Sequence, residues 1–477
     1  MAGLVLAIFV AAVDGTLISV ALLPIAKDLG RLEQLPWVMS GYLAASAVAT
    51  PIYGKLSDLY GRKPLMMASL LGFALTSLGS ALSPSMGVLI AMRILQGLTG
   101  GAIIAMAQAI IADVVPLRER GRYQGWLAAT FASAALAGPV IGGLVSGSLG
   151  WRAVFALLVP LTLVASWQVA KVLALIPTQR QVRPIDWAGA LWLALALGSI
   201  MSFLTLLGQG RALDDPFGLV LLGTFLVATV LCVVQEQRAA EPILPPEVLA
   251  ERGVWVPCVN VLSIFFTIIG LSTILPIVLQ TAAGLAVDQA ALNMLPLTLG
   301  IPCGAFLAGR WNYRTGASRR IIYSGLLIVL LALLAMAATS MTTLWLLGGA
   351  MALLGLGSGM VMVTSLVVAQ SSVASRHIGV TTAVVACART VGSAIGVSML
   401  AAALFVALRG FAPEERDLRR LLEMVPPAQT AEAFQVVVGV AGSATLVALF
   451  TMVLAGRNIG AGLRHSLASA ARSPGES

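Results

Sequence analysis

Three polar side chains stand inside stretches of this sequence that are otherwise apolar. Asp14 interrupts the first apolar run, and Arg93 and Gln96 interrupt the fourth. Burial away from water penalises the charged form of a carboxyl, which suits Asp14 to carry a proton. Arg93 and Gln96 are three residues apart on one helix face, where a buried arginine must be paired or face a cavity. Two structural alternatives remain. Asp14 could be hydrogen-bonded near a helix end, and Arg93 could only donate hydrogen bonds to neighbouring carbonyl groups.

The composition indicates that lipid is the solvent for most of the chain. Of the 477 residues, 59% are hydrophobic and only 10% are charged, whereas a soluble domain has about 25% charged residues. Mean hydropathy is +0.96. The net charge of +9 comes from basic residues in short loops between apolar runs, without clustered aromatics. We therefore expect a lipid bilayer, and no nucleic acid, as a partner.

Fourteen apolar runs, from residues 3–23 to residues 433–454, are long enough to cross a membrane. Isolated strands cannot satisfy their backbone in lipid, so all are predicted to be helices. Nineteen of the 29 Lys and Arg residues fall on one side, eight fall on the other, and Arg93 and Arg389 lie inside runs. The positive-inside rule then places both termini in the cytoplasm of a multi-pass inner-membrane protein.

Residues typical of enzymes or metal sites are sparse. The four cysteines lie in or beside apolar runs and form no CxxC pair, so neither a metal nor a redox cofactor is expected. His377 and His465 are far apart, and acidic residues do not cluster in any run. The sequence contains no Walker A motif. A membrane enzyme and an ATP-driven pump are therefore both disfavoured.

Glycine spacing indicates an internal repeat. Gly54 and Gly61 are seven residues apart, as are Gly309 and Gly316. Further along, four glycines recur at a constant offset of 258: Gly97, Gly101, Gly121 and Gly138 match Gly355, Gly359, Gly379 and Gly396. We expect two six-helix halves, residues 1–175 and 253–456, as in transporters built from parallel repeats. Two inserted helices with linkers occupy residues 176–252, and residues 457–477 form a cytoplasmic tail.

The loop after the second run carries the strongest motif, GKLSDLYGRKPL at residues 54–65. This motif resembles the loop between helices 2 and 3 of the major facilitator superfamily, and the whole chain resembles its fourteen-helix drug:proton antiporters. The resemblance implies a gating loop formed by Gly54, Asp58, Gly61, Arg62 and Lys63. Gly61 permits a tight turn, Asp58 ion-pairs at helix ends, and Arg62 binds the neighbouring half. The alternative is an ordinary basic cytoplasmic loop.

Three further motifs resemble the same family. RILQG, beginning at Arg93, is similar to its arginine motif, which is linked to proton transfer. The fifth run contains a proline–glycine motif that resembles a signature of antiporters, with plain helix packing as the alternative: Gly138, Pro139, Gly142 and Gly143. The segment around Asp14 resembles the first-helix motif but departs from it at Ser19 and by an extra residue before Pro24.

The resemblance implies an all-α membrane bundle that exports amphipathic compounds, cationic ones included, in exchange for protons. Asp14 would carry the proton, and Arg93 would couple it to transport. Five residues are expected to line the substrate cavity: Thr16, Gln96, Asn260, Asn293 and Arg389. An uptake symporter on the same fold is the main alternative, and a membrane enzyme is a weaker one. The need for a periplasmic adaptor is left open.

Overall fold

The structure is a computed structural model that describes residues 2–30, 34–115, 119–173, 186–208, 216–239, 242–285, 287–339, 343–374, 377–411 and 424–454. All regular elements in these ranges are helices, which confirms the predicted all-α class. The predicted tail, residues 457–477, lies outside the described residues. So do the side chains of Asp58 and Pro139, although both residues belong to described helices.

Fourteen of the described helices have twenty residues or more, and two short helices lie between them. In chain order they are α1 (Ala2–Leu29), α2 (Leu35–Tyr60), α3 (Arg62–Ala81), α4 (Met86–Val114), α5 (Arg120–Leu149), α6 (Trp151–Leu173), α7 (Trp187–Gly208), α8 (Pro216–Arg238), α9 (Pro246–Ala250), α10 (Arg252–Thr281), α11 (Val287–Asn293), α12 (Leu295–Thr315), α13 (Ser318–Ala338), α14 (Leu344–Ser371), α15 (Ile378–Arg409) and α16 (Pro427–Leu454).

Ten of these helices are apolar and long enough to cross a membrane, judged within the described residues by length and composition. Helices α1 and α5 contribute shorter apolar stretches, Gly3–Ile18 and Val140–Leu149. Pro24 and Pro51 lie inside α1 and α2, where neighbouring helices allow proline to be tolerated in lipid. The chain is therefore a multi-pass membrane protein, and the exact count of fourteen spans stays a prediction.

The apolar side chains form two large cores. One is built from α1 to α6 and includes Ile8, Phe73 and Phe155. The other is built from α10 to α16 and includes Leu326 and Phe434. Helices α7 and α8 share a separate small cluster. This division into two large cores and one small cluster is compatible with the predicted two halves and two inserted helices. The boundaries between these parts remain a prediction.

Glycines at matching positions make equivalent helix contacts in the two cores. Gly97 of α4 packs directly on the carbonyl oxygen of Tyr42 in α2. Gly355 of α14 packs in the same way on the carbonyl oxygen of Leu297 in α12. Glycine has no Cβ, so each pair of helices can approach to backbone contact. A side chain at either glycine would force the two helices apart.

Helix α7 lies between the two cores, where it contacts both α2 and α15. Met201 and Leu204 pack on Ala47 of α2. The hydroxyl of Ser398 in α15 donates a 2.7 Å hydrogen bond to the carbonyl oxygen of Leu204. The first inserted helix is thus part of the boundary between the halves.

Candidate functional site

Asp14 and Arg93 form a buried ion pair between α1 and α4. Nη1 of Arg93 lies 2.7 Å from Oδ2 of Asp14, and neither side chain is exposed. Gln96 joins both: its Oε1 accepts from Arg93 Nη1 at 2.7 Å, and its Nε2 donates to Asp14 Oδ1 at 3.3 Å. Ser77 of α3 accepts a further hydrogen bond from Gln96 Nε2 at 2.7 Å. Arg93 thus has an acid partner, as its place inside an apolar run requires.

Helix α2 holds the other side of the Arg93 guanidinium. Nε of Arg93 donates to the Val38 carbonyl oxygen at 3.2 Å. The Tyr42 ring lies 4.2 Å from the Arg93 Cζ atom, and the Phe155 ring lies 6.0 Å away. A cation over an aromatic face is stabilised by the ring quadrupole. Nη2 of Arg93 has no hydrogen-bond acceptor among the described residues.

A cavity of about 1120 Å³ lies at the centre of the bundle. Its wall combines residues from both cores and from α7, and most of the wall is apolar. Among the residues that the structure describes, Arg389 of α15 is the one charged side chain on that wall. The volume slightly exceeds the usual range for small-molecule sites, roughly 300–1,000 Å³.

The ion pair lies outside this cavity and next to its wall. Ala11, Ala12, Gly15 and Thr16 of α1 line the cavity, whereas Asp14 faces α4 and is fully buried. Tyr42 reaches both places, because it lines the cavity and stacks on Arg93. It is therefore the direct contact between the cavity wall and the ion pair.

Two of the five residues predicted to line the cavity do so. Thr16 lines it while its hydroxyl donates to the Ala134 carbonyl oxygen at 3.0 Å. Arg389 also lines it, with its guanidinium 5.6 Å from the Phe131 ring and 5.8 Å from the Phe265 ring. No hydrogen bond or ion pair to this guanidinium occurs within the described ranges.

The structure places the other three predicted cavity residues elsewhere. Gln96 belongs to the buried ion-pair cluster. Asn260 is fully buried away from the wall, and Asn293 donates to the Gln289 carbonyl oxygen at 2.9 Å in α11. The residues that follow these asparagines, Val261 and Met294, line the cavity instead. Successive helical side chains are turned by about 100°, so polarity in the sequence does not identify the facing residue.

The proline–glycine motif positions the helix that carries Asp14. Gly138 of α5 packs on Thr16 of α1. A Cβ on Gly142 would lie 2.8 Å from the Leu17 carbonyl oxygen, so this position requires glycine for close approach. Gly143 is half-buried beside them. The motif therefore fixes the packing of α5 on α1.

The predicted gating loop lies at one end of the bundle, which we call the loop end. Gly61 links α2 and α3 with φ at 86°, a backbone region that favours glycine. Arg62 forms a 2.6 Å ion pair with Asp113 at the end of α4, and Lys63 is half-buried. This partner of Arg62 belongs to the same core, and the predicted contact of Arg62 with the neighbouring half stays a prediction.

A close contact between the cores occurs near this loop. A Cβ on Gly54 of α2 would lie 2.5 Å from Ala383 Cβ and 3.0 Å from the Gly379 carbonyl oxygen of α15. The two helices touch here because Gly54 has no side chain. This contact joins the two cores at the loop end.

Several residues that line the cavity were not predicted from the sequence, notably Tyr42, Phe131, Phe265 and the α7 residues Met201 and Leu204. Aromatic and aliphatic side chains inside apolar runs look alike whether they face lipid, core or cavity. Only the arrangement of the helices distinguishes these surroundings, so no signal in the sequence marked them.

Comparisons with known proteins agree on one family. The family model described as "Major Facilitator Superfamily" matches residues 4–397. The multidrug transporter protein MdtP of Bacillus subtilis is 30% identical over 407 residues, which cover 84% of this chain and 74% of that protein. Multidrug resistance protein 3 of Bacillus subtilis is 30% identical over 323 residues, which cover 67% of this chain and 62% of that protein.

Solved structures show the same fold. The proton:xylose symporter XylE aligns with a TM-score of 0.63 over 96% of this chain and 95% of its own, at 15% identity. A bacterial homologue of the iron transporter ferroportin in an outward-facing state aligns with a TM-score of 0.64 at 12% identity. The alignment covers 95% of this chain and 98% of that protein. At these identities the likeness concerns the fold alone.

Proposed function

Because the chain belongs to the major facilitator superfamily, we propose that it is a proton-coupled secondary antiporter that exports amphipathic compounds by alternating access. The observation that carries the proposal is the fully buried Asp14–Arg93 pair, which Tyr42 connects to the wall of a large apolar cavity. The proposal needs only substrate, protons and the lipid bilayer.

In this proposal Asp14 alternates between a carboxylate paired with Arg93 and a protonated, neutral acid. Removing one partner of a buried ion pair costs about 3–5 kcal/mol, because the other charge is left uncompensated. That cost is comparable with the ~2.3 kcal/mol per charge that 100 mV supplies across a membrane. The proton-motive force therefore supplies a free energy of the same order as the cost of separating this pair.

Arg93 keeps several contacts when Asp14 is protonated. Gln96 Oε1, the Val38 carbonyl oxygen and the Tyr42 ring all remain beside the guanidinium. Loss of the ion pair would then shift the guanidinium toward α2 and Tyr42, which lines the cavity. This shift gives protonation a physical route to the substrate site.

Alternating access further needs two halves that close the cavity at one end at a time. We assign the halves to residues 1–175 and 253–456, with fourteen spans and both termini in the cytoplasm. The Gly54 contact with Gly379 and Ala383 supports a closed gate at the loop end, which we assign to the cytoplasmic side.

Export is favoured over uptake on two grounds. The proline–glycine motif of α5 resembles a signature of antiporters, and it packs on the helix that carries Asp14. Relatives that are 30% identical are named as multidrug transport and resistance proteins. An uptake symporter on the same fold remains the second candidate, because the symporter XylE shares the fold.

Accumulation of fluorescent amphiphiles in intact cells tests the proposal. Cells that produce the wild type should accumulate less probe than cells with an empty vector, and an uncoupler should abolish the difference. Asp14→Asn should behave like the empty vector while inserting at a normal level. Energy-dependent accumulation above the empty vector would instead establish uptake and contradict export.

A further inference from the structure

We infer that the central cavity selects amphipathic organic anions, with Arg389 binding the acidic group and Phe131 and Phe265 contacting the aromatic part. This inference rests on the proposed export function and assigns a substrate class to its cavity. Asp14 by itself suggested a cationic substrate. A carboxyl in the first helix favours a cation only if the substrate can reach it, and the inferred substrate is an anion instead.

The charge on the cavity wall is positive. Arg389 lines the cavity, and a guanidinium keeps its proton at physiological pH. In the described part of the chain no carboxylate lines the cavity, and no acceptor binds this guanidinium. The guanidinium is half-buried on the cavity wall, so a ligand can reach it without breaking an ion pair within the protein. An anionic group on the substrate would supply the missing partner.

The carboxylate nearest to the cavity is already occupied. Asp14 is fully buried and paired with Arg93 at 2.7 Å, and it faces α4. A cationic substrate would therefore meet Arg389 without meeting a free acid. Electrostatics within the cavity disfavours cations and favours anions.

The surroundings of Arg389 fit an aromatic acid. The guanidinium lies 5.6 Å from the Phe131 ring of α5 and 5.8 Å from the Phe265 ring of α10. Its N–H groups can bind two oxygens of a carboxylate or a sulfonate side by side. Thr390 and Ser393 also line the cavity, but their hydroxyls donate to the carbonyl oxygens of Ala386 and Arg389, which leaves the guanidinium as the donor to the acidic group. The remaining wall is largely apolar and suits a hydrophobic body.

The proposed substrate class also determines how much charge crosses the membrane in each cycle. Export of an anion in exchange for an entering proton moves two positive charges inward, in the direction of a negative interior potential. Export of a monovalent cation for one proton moves no net charge. An anion exporter therefore uses the membrane potential as well as the pH gradient.

Binding of two matched probes to purified protein in lipid nanodiscs tests the inference. 8-Anilino-1-naphthalenesulfonate and N-phenyl-1-naphthylamine share one aromatic body and differ by the sulfonate, and empty nanodiscs give the lipid background. The wild type should bind the sulfonate about tenfold more tightly or better, as expected for a buried charge-assisted hydrogen bond. Ethidium, a cation, should bind more weakly than the sulfonate.

Three variants connect the preference to one side chain. Arg389→Gln should weaken sulfonate binding about tenfold and leave the neutral probe unchanged, which also shows that the cavity is folded. Arg389→Lys should retain part of the preference. Arg310→Gln removes the same charge from an exposed position of α12 and should change nothing.

Equal affinity of the wild type for the two naphthalene probes, or an equal loss of both in Arg389→Gln, would overturn the inference. The binding assay contains no proton gradient. A wild type that prefers the sulfonate but does not export it would therefore contradict the proposed function alone. A wild type that exports probes without any preference would contradict this inference alone.

Discussion

The carboxylate of Asp14 and the guanidinium of Arg93 meet at 2.7 Å, although 79 positions separate them in the chain and neither side chain is exposed. The pair joins α1 to α4 inside the first core, and Tyr42 separates Arg93 from the cavity. Arg93 and Tyr42 therefore form a chain of contacts from Asp14 to the cavity wall. In the proposed mechanism this relationship couples the proton to the substrate.

The Tyr42 ring is predicted to be the coupling contact. Tyr42→Ala removes the ring that lies 4.2 Å from Arg93 and exposes the guanidinium to the cavity. A cation–π contact contributes about 0.5–2 kcal/mol, so coupled export should fall about tenfold. Transport into everted vesicles at matched protein levels measures the effect.

Tyr42→Phe is the matched control for that experiment. It keeps the aromatic face and loses only the hydroxyl, which makes a long 3.5 Å contact with the Ala11 carbonyl oxygen. Export by Tyr42→Phe should stay within about twofold of the wild type. If Phe is as damaging as Ala, the hydroxyl carries the effect and the stacking account is wrong.

Gly54 is predicted to stabilise the closed contact at the loop end. Gly54→Val places methyl groups where Ala383 and Gly379 already lie, so α2 and α15 must separate. Spin labels at exposed Tyr60 and Tyr313, with the four native cysteines replaced, should report a longer distance between the halves. Transport should fall at the same time.

Gly198→Val provides the control for this substitution. Gly198 lies in α7, and a Cβ added there has nothing within 4 Å. The distance distribution between the two labels should match that of the wild type. An unchanged distribution in Gly54→Val as well would show that this contact does not hold the gate closed.

Asp28 lies near the end of α1, after its apolar stretch. This residue is predicted to make a small, pH-dependent contribution to the stability of the protein. Hydrogen bonds from Arg152 at 2.6 Å and from Trp151 at 3.0 Å hold the pKa of the Asp28 carboxyl below its usual range. A lowered pKa in the folded state stabilises the protein above the carboxyl's ordinary pKa, about 3.9. This contribution is lost as the pH falls through the lowered value.

Thermal unfolding in detergent tests the Asp28 contacts. Asp28→Asn should lower Tm by about 1–3 °C at pH 7, because exposed ion pairs contribute little. The difference should shrink as the pH is lowered below the usual carboxyl range. Asp28→Asn combined with Arg152→Gln should be no worse than the more damaging single variant. Additive losses would show that the two residues stabilise the protein independently.

The sequence was sufficient to predict the class of fold and the polar centre of the site. A shortage of charge, long apolar runs and the loop motif identified an all-α membrane transporter, which the structure and the comparisons support. The cost of burying Arg93 predicted that it is paired or faces a cavity, and the structure identifies the partner as Asp14 of α1, which the sequence did not. These inferences rest on free-energy costs that are large whatever the arrangement of the helices, so they could be made from the sequence.

The cavity was predicted less well, because its wall depends on which face each helix presents. Asn260 and Asn293 are each followed by an apolar residue that lines the cavity in their place. Phe131 and Phe265 come together beside Arg389 from α5 and α10, helices that are distant in the chain. The role of α7 also depends on its position between α2 and α15. None of these contacts has a local sequence pattern.

The most direct test of the central claim is the collapse of a pH gradient in everted vesicles when a transported probe is added. The wild type should dissipate the gradient on addition of a probe that it exports. The probe-induced dissipation in Asp14→Asn should be at least about tenfold smaller than in the wild type. Asp14→Asn should still exchange probe across the membrane without a gradient. Glu236→Gln removes a different buried carboxyl, in α8 and away from the cavity wall, and should respond like the wild type. Undiminished coupling in Asp14→Asn would contradict the account.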